Sequence, residues 1–144
     1  MVAYPADRRT VGDWLQGAAA VVVLRFDVDA EVPILAEDER YAGDLSAMTH
    51  QSYSPRVGVL RILESLARHG VEATFFVLGI TAGRWPRTAE EILAAGHEMA
   101  LHGHSHVVLP GMHDEEQRRD LEAGIEGSCA LGWSPKGTVR PIGG

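Results

Sequence analysis

The sequence has few of the features that mark secreted, membrane or disulfide-stabilised proteins. Its single cysteine, Cys129, excludes an internal disulfide and a metal site built from several thiolates. The longest apolar run, Ala18 to Leu24, is much too short to cross a bilayer. The first ten residues lack the basic-then-apolar order of a signal peptide. We therefore expect a cytoplasmic protein without a membrane partner.

Positive charge is also scarce in this chain. Thirteen Lys and Arg residues stand against 20 Asp and Glu residues, which gives a formal net charge of −7. A chain with this balance repels polyanions, so we expect no nucleic-acid partner. The hydrophobic fraction of 45% over 144 residues is enough for one compact domain with a core. We predict an irregular segment over residues 1–17 and one folded unit over residues 18–144.

Three apolar segments along the chain predict β-strands. The unbroken run AAAVVVLRF predicts a strand over residues 18–26 that is buried on both faces. The segment VEATFFVLG predicts a second strand, and residues 97–101 predict a third. Helical patterns separate these strands, and such alternation is typical of an α/β fold with a parallel sheet, either open or closed into a barrel.

The helices are predicted from apolar spacing of three and four residues and from proline and glycine at the ends. Residues 31–54 show little periodicity, which predicts a long loop or a loop with short helical turns. The predicted helices run from Pro55 to Gly70, from Pro86 to Gly96, and from Asp114 as N-cap to near Gly132.

The first cluster of reactive side chains is FDVDAE, directly after the first predicted strand. Asp27 and Asp29 are two residues apart and project to the same side if the strand geometry continues. Two carboxylates held so close repel each other. A divalent cation bound by one of them would neutralise the pair and leave the other as a base. Such a pair also occurs as a solvated turn or a helix cap. Glu31, two residues after Asp29, is either a further ligand or a loop charge, and we favour the loop charge.

The second cluster is HGHSH, directly after the third predicted strand. His102 and His106 are four residues apart, so a helical turn or a tight loop can direct both imidazoles at one point. Two histidines and one carboxylate leave coordination positions open for water and a substrate carbonyl, as in catalytic sites. We expect His104 to support this site or face solvent. The donor set suits zinc, cobalt, manganese, nickel and iron alike.

The two clusters together resemble a known family. FDVDAE, followed about seventy residues later by GHEMALHGHSH, resembles motifs one and two of the polysaccharide deacetylases, carbohydrate esterase family 4. The resemblance extends over about Val21 to Leu131 and implies a (β/α) barrel-type fold. It implies that Asp27 is the general base and that Asp29, His102 and His106 bind a divalent metal, with zinc as the first expectation.

The resemblance is weaker in the rest of the chain. The stretch GTVRP at 137–141 loosely resembles the third motif, which implies that Arg140 pairs with the catalytic aspartate. The later motifs, which include the general-acid histidine, have no counterpart in the sequence. We therefore expect about the first, N-terminal half of such a domain, with an exposed sheet edge that favours homo-oligomers.

The family resemblance implies a hydrolase that removes acetyl groups from N-acetylated sugars, with a metal-activated water attacking the amide carbonyl. The FDVDAE form is similar to a cytoplasmic branch with peptidoglycan deacetylase-like and allantoinase-like or cyclic-imidase-like members. Hydrolysis of a small cyclic amide or ureide is therefore the first alternative. A metal-binding remnant without turnover is the second, and a purely structural α/β domain is the third.

Overall fold

The structure is a computed structural model that describes residues 20–107 and 112–135 of the 144-residue chain. These residues form three strands and six α-helices, with a 3-10 turn at Glu39–Gly43 and a π-helical turn at Ser54–Gly58. The strands are β1 (Arg25–Val28), β2 (Thr74–Val77) and β3 (Glu98–Leu101). The helices are α1 (Val32–Glu37), α2 (Leu45–Gln51), α3 (Val59–His69), α4 (Gly79–Arg84), α5 (Pro86–Ala94) and α6 (Asp114–Ala130).

The sheet has the strand order β1-β2-β3, and both pairs of neighbours are parallel. Helices lie in both connections between the strands, as parallel pairing requires. The predicted α/β class with a parallel sheet is therefore confirmed. The carboxyl ends of the strands all lie at one edge of the sheet, and the segments that follow β1 and β3 begin there.

One face of the sheet carries the hydrophobic core. Phe75 and Val77 of β2 are almost fully buried, and helix residues such as Leu63 and Ile92 belong to the same core. Phe76, which lies between them in β2, is only partly buried, and Asp27 of β1 stands level with it. Because side chains alternate along a strand, the residues that carry charge at the end of β1 lie on the face opposite the core.

The first strand is shorter and more exposed than predicted. It begins at Arg25, opposite Thr74, rather than at residue 18. Val22 and Val23 are 80% and 77% exposed. Among the residues that the structure describes, β1 pairs with β2 alone, so the segment before Arg25 has no second strand to bury it. The prediction of a strand buried on both faces over residues 18–26 is therefore wrong for residues 20–24, and residues 18 and 19 lie outside the described residues.

The predicted helix from Pro55 to Gly70 is a π-helical turn followed by α3, and Gly70 ends it with a left-handed φ of 61°. Residues 31–54 contain short helices, as one of the two alternatives for this segment expected. Asp44 begins α2 by accepting hydrogen bonds from the N–H groups of Ser46 and Ala47. Helix α4 was not predicted, because six residues with two glycines carry no clear periodicity.

The last described helix begins one residue earlier than predicted. His113, not Asp114, is the N-cap of α6, because the Glu116 carboxylate accepts a hydrogen bond from the His113 N–H at 2.9 Å. The helix ends at Ala130, near the predicted Gly132. Within the two described ranges, no helix is both long and apolar enough to cross a bilayer.

Candidate metal centre

The two reactive clusters meet at the carboxyl edge of the sheet. Strand β1 ends at Val28, so Asp29 is the first residue beyond it, and β3 ends at Leu101, so His102 is the first residue beyond that strand. The His102 N–H donates to the Val77 carbonyl and extends the pairing with β2 by one bond. Parallel α/β sheets place ligand sites at this edge, and the topology brings Asp29 and His102 there from 73 positions apart in the sequence.

Asp29, His102 and His106 form a compact group of metal-ligand atoms. Asp29 Oδ1 lies 3.7 Å from His102 Nε2, and Asp29 Oδ2 lies 3.8 Å from His106 Nε2. One ligand atom from each residue lies within 4.8 Å of the other two. Ligands about 2.1 Å from a tetrahedral zinc stand roughly 3.4 Å apart. A small contraction of this group would therefore place all three around one divalent cation.

The burial and charge of the Asp29 carboxylate also favour a bound cation. Its Oδ1 atom is buried and accepts no hydrogen bond from the described part of the protein. Burial is the largest influence and raises the pKa of Asp29 above its ordinary value; His102 and His106 lower it, and the charge of Asp27 raises it. A buried carboxylate oxygen without a donor is costly. A divalent cation between the three residues would remove that cost.

The group is open to solvent on one side. The His102 side chain is only 6% exposed, whereas those of Asp29 and His106 are 25% and 24% exposed. The two imidazole rings lie 5.6 Å apart at 71° to each other, so their planes converge without stacking. A ligand can therefore reach the group from the side of Asp29 and His106.

The backbone around the group adopts conformations that most residues avoid. Ala30, directly after Asp29, has a φ of 53°, and His106 has a φ of 57°. Left-handed conformations of this kind cost free energy in residues other than glycine and cluster at functional sites. The Thr81 hydroxyl stabilises the turn at Asp29 and Ala30 by donating to the Asp29 carbonyl at 2.8 Å. Nothing in the sequence indicated this contact across 52 positions.

Asp27 lies beside the group but does not belong to it. It is the third residue of β1, and its side chain is 36% exposed. Arg25, two residues earlier on the same face, donates to Asp27 Oδ2 at 3.3 Å, and its guanidinium lies over the Phe76 ring at 5.2 Å. Sequence reasoning overlooked Arg25, although strand alternation could have found it. Arg140, the arginine predicted to pair with Asp27, lies outside the described residues.

Glu31 lies in the turn before α1, as its interpretation as a loop charge implies, but its carboxylate is buried and paired. Glu31 is 6% exposed, and its carboxylate accepts hydrogen bonds from Arg84 at 3.2 Å and from the Trp85 indole at 3.1 Å. The paired carboxylate ties the segment after β1 to the end of α4. Glu31 therefore stabilises the segment that follows Asp29, and it is not one of the three grouped residues.

His104 packs tightly at a place where two helices approach. A Cβ atom added at Gly79 would lie 2.6 Å from His104 Nδ1 and 3.0 Å from the Gly124 Cα atom. We predict that Gly79→Ala destabilises the protein by about 1–3 kcal/mol, because neither neighbour can move without shifting the loop or α6. Chemical denaturation measures this difference in the free energy of unfolding.

Gly83→Ala is the matched control for that substitution, in the same helix. A Cβ atom there meets nothing within 4 Å. We expect this substitution to raise the free energy of unfolding by about 0.5–1 kcal/mol, since alanine has a higher helix propensity than glycine. Equal effects of the two substitutions would contradict the close packing of His104 against Gly79.

The chain matches known proteins over most of the described residues. Residues 46–129 match the sequence model of a family described as polysaccharide deacetylase. A peptidoglycan-N-acetylglucosamine deacetylase of Bacillus cereus is 34% identical over 84 residues, which are 58% of this chain and 30% of that protein.

Two solved structures resemble the fold. A Mycobacterium smegmatis protein assigned to the polysaccharide deacetylases superposes with a TM-score of 0.79 at 43% identity, over 81% of this chain and 41% of that one. The PuuE allantoinase superposes with a TM-score of 0.70 at 22% identity, over 95% of this chain and 53% of that one, and shows likeness of fold alone. The chain thus spans between about a third and half of the length of these relatives.

Proposed function

Because this chain belongs to the polysaccharide deacetylase family, we propose that it contributes to a metal-dependent hydrolase that removes acetyl groups from N-acetylated sugars. The observation that carries the proposal is the grouping of Asp29, His102 and His106 within 4.8 Å, next to the carboxylate of Asp27. The similarity to a peptidoglycan-N-acetylglucosamine deacetylase supports a sugar substrate. Since the match covers less than a third of that relative, activity of this chain by itself is part of the proposal.

Asp29, His102 and His106 would hold the cation, for which we propose zinc. Bound there, a divalent cation supplies a Lewis acid that polarises the acyl oxygen and lowers the pKa of a water molecule. The open side of the group, at Asp29 and His106, gives the substrate amide access to it. Three protein ligands leave coordination positions on the cation open for both water and the acyl oxygen.

Asp27 is the proposed general base. Its carboxylate is partly exposed and is not one of the three grouped ligands, so it remains available to take a proton from the attacking water. Arg25 contacts one carboxylate oxygen and fixes the orientation of the side chain. When the amide C–N bond breaks, the acetyl group keeps the hydroxyl of the attacking water and leaves as acetate, and the nitrogen gains the proton that the water gave up, so the sugar keeps a free amine.

The proposal predicts zinc-dependent release of acetate from N-acetylglucosamine oligomers or peptidoglycan fragments. The purified chain should contain close to one zinc per molecule, lose its activity on treatment with a chelator and regain it when zinc is added. Acetate and zinc are both measured on the same preparation.

A cyclic imide assayed alongside distinguishes the rival functions. Ring opening of the imide without acetate release would replace the proposal by hydrolysis of cyclic amides. Bound zinc without either reaction would indicate a metal-binding domain without turnover. Absence of zinc, even after incubation with it, would contradict the metal site itself.

A further inference from the structure

The loop that carries the two histidines is held from two sides. The structure assigns to Asp120 of α6 the role of positioning residue for the candidate metal centre: its carboxylate fixes the turn between His102 and His106, and thereby sets the affinity and geometry for a divalent cation. This inference rests on the proposed function of the site, because it concerns residues that would bind the metal.

The Asp120 carboxylate accepts three hydrogen bonds from the middle of the loop. Oδ2 accepts from the His104 N–H at 3.0 Å, and Oδ1 accepts from the Ser105 N–H at 3.1 Å and from the Ser105 hydroxyl at 2.6 Å. All three donors lie between the two histidines of the group. Hydrogen bonds to a charged acceptor are stronger than those between neutral groups, so this carboxylate is well suited to fix a turn.

The opposite side of the loop is held by the start of α4. The Gly79 N–H donates to the Gly103 carbonyl at 3.0 Å, and the Ile80 N–H donates to the His104 carbonyl at 3.1 Å. The carbonyl groups of the turn thus bind α4, and its N–H groups bind Asp120. With both sets of bonds made, the turn has little freedom to rotate.

The position of His106 depends on this turn more than the position of His102 does. His102 continues β3 and donates to β2 through its backbone. His106 lies beyond Gly103, which has a φ of 86°, and itself has a φ of 57°. A loop with two left-handed residues relaxes readily when its hydrogen bonds are lost. Loss of the Asp120 contacts should therefore move the His106 imidazole away from Asp29.

The test compares zinc affinity in Asp120→Asn and in the wild-type chain. Asparagine keeps the size of the side chain but replaces one acceptor oxygen by an NH₂ group that faces a backbone N–H. We expect the zinc dissociation constant to rise about 10–100-fold, the usual effect of losing a residue that orients a metal ligand. The visible absorption spectrum of the cobalt-substituted protein should change as well, because it reports the arrangement of the ligands.

Two further variants separate positioning from general stability. Glu122→Gln removes an exposed carboxylate two residues away on α6 and should leave zinc affinity and the cobalt spectrum unchanged. Ser105→Ala removes one of the three bonds to Asp120 and should weaken zinc binding less. Because Ser105 and Asp120 share a bond, the effects of the double variant should not add.

Amide hydrogen exchange in the metal-free protein tests the turn independently of metal. In Asp120→Asn, the amides of His104 and Ser105 should lose protection, while those of Gly79 and Ile80 keep it. Wild-type zinc affinity and protected loop amides in this variant would overturn the inference, and so would a weaker affinity matched by an equal fall in thermal stability. Failure of the wild-type chain to bind zinc would instead contradict the proposed function, and the exchange data would still decide whether Asp120 fixes the turn.

Discussion

Asp29→Asn is expected to abolish stoichiometric zinc binding while leaving the metal-free protein at least as stable as the wild type. Asparagine has the shape of aspartate but lacks the negative charge that a divalent cation requires from its carboxylate ligand. The buried Asp29 Oδ1 atom accepts no hydrogen bond from the described residues, so the change removes no such bond there. Zinc content by mass spectrometry and the midpoint of thermal unfolding test both halves of the prediction.

The sign of the stability change follows from the pKa of Asp29. Burial raises this pKa in the folded chain above its ordinary value of 3.8. A group of this kind stabilises the fold below its unfolded pKa, and the contribution is lost as the pH rises through the folded pKa. Above the folded pKa, the metal-free wild type therefore carries an ionised carboxylate that the fold disfavours. Asparagine avoids that cost. The free energy of unfolding of the variant should therefore exceed that of the wild type by an amount that grows from about pH 4 upward.

Two controls make the loss of zinc specific. His50→Ala removes an exposed histidine of α2 and should keep the zinc content of the wild type. The double variant Asp29→Ala, His106→Ala should contain no zinc above background. Zinc retained in Asp29→Asn would show that the metal is bound elsewhere, and a large fall in thermal stability would show that Asp29 has a structural partner.

The parts of this fold that could be predicted are those with local causes. Helix α3 has its apolar residues spaced by three and four and ends at a glycine that accepts a left-handed conformation, and each of these signals is visible in a short window of sequence. The grouping of Asp29 with the two histidines could also be expected. Both clusters follow predicted strands, and parallel strands present their carboxyl ends at one edge.

The parts that could not be predicted depend on contacts between distant residues. The length of β1 is set by where β2 begins to pair with it, which the apolar run before Arg25 does not reveal. Asp120 lies 14 positions after His106, on a mostly polar helix where nothing distinguishes it from neighbouring acids. The pairing of Glu31 is not visible in its local sequence, because its partners Arg84 and Trp85 are more than 50 positions away.

Asp27→Asn is expected to lower kcat for acetate release at least about 100-fold while leaving zinc content unchanged. General bases contribute roughly 100- to 10,000-fold to rates of this kind. Asparagine can still accept a hydrogen bond from Arg25, so the end of β1 should keep its conformation. It cannot take a proton from water, however, so the loss should fall on kcat with little change in KM.

Zinc content measured on the same preparation decides what a loss of activity means. If Asp27 is the base, zinc binds Asp27→Asn as tightly as it binds the wild type, because Asp27 is not one of the three grouped ligands. Loss of zinc together with activity would make Asp27 a ligand instead. Glu64→Gln, which removes an exposed carboxylate from α3, should change neither quantity. Turnover retained in Asp27→Asn would assign the proton acceptor to a different residue, and the open side of the group next to His106 would be the first place to search for it.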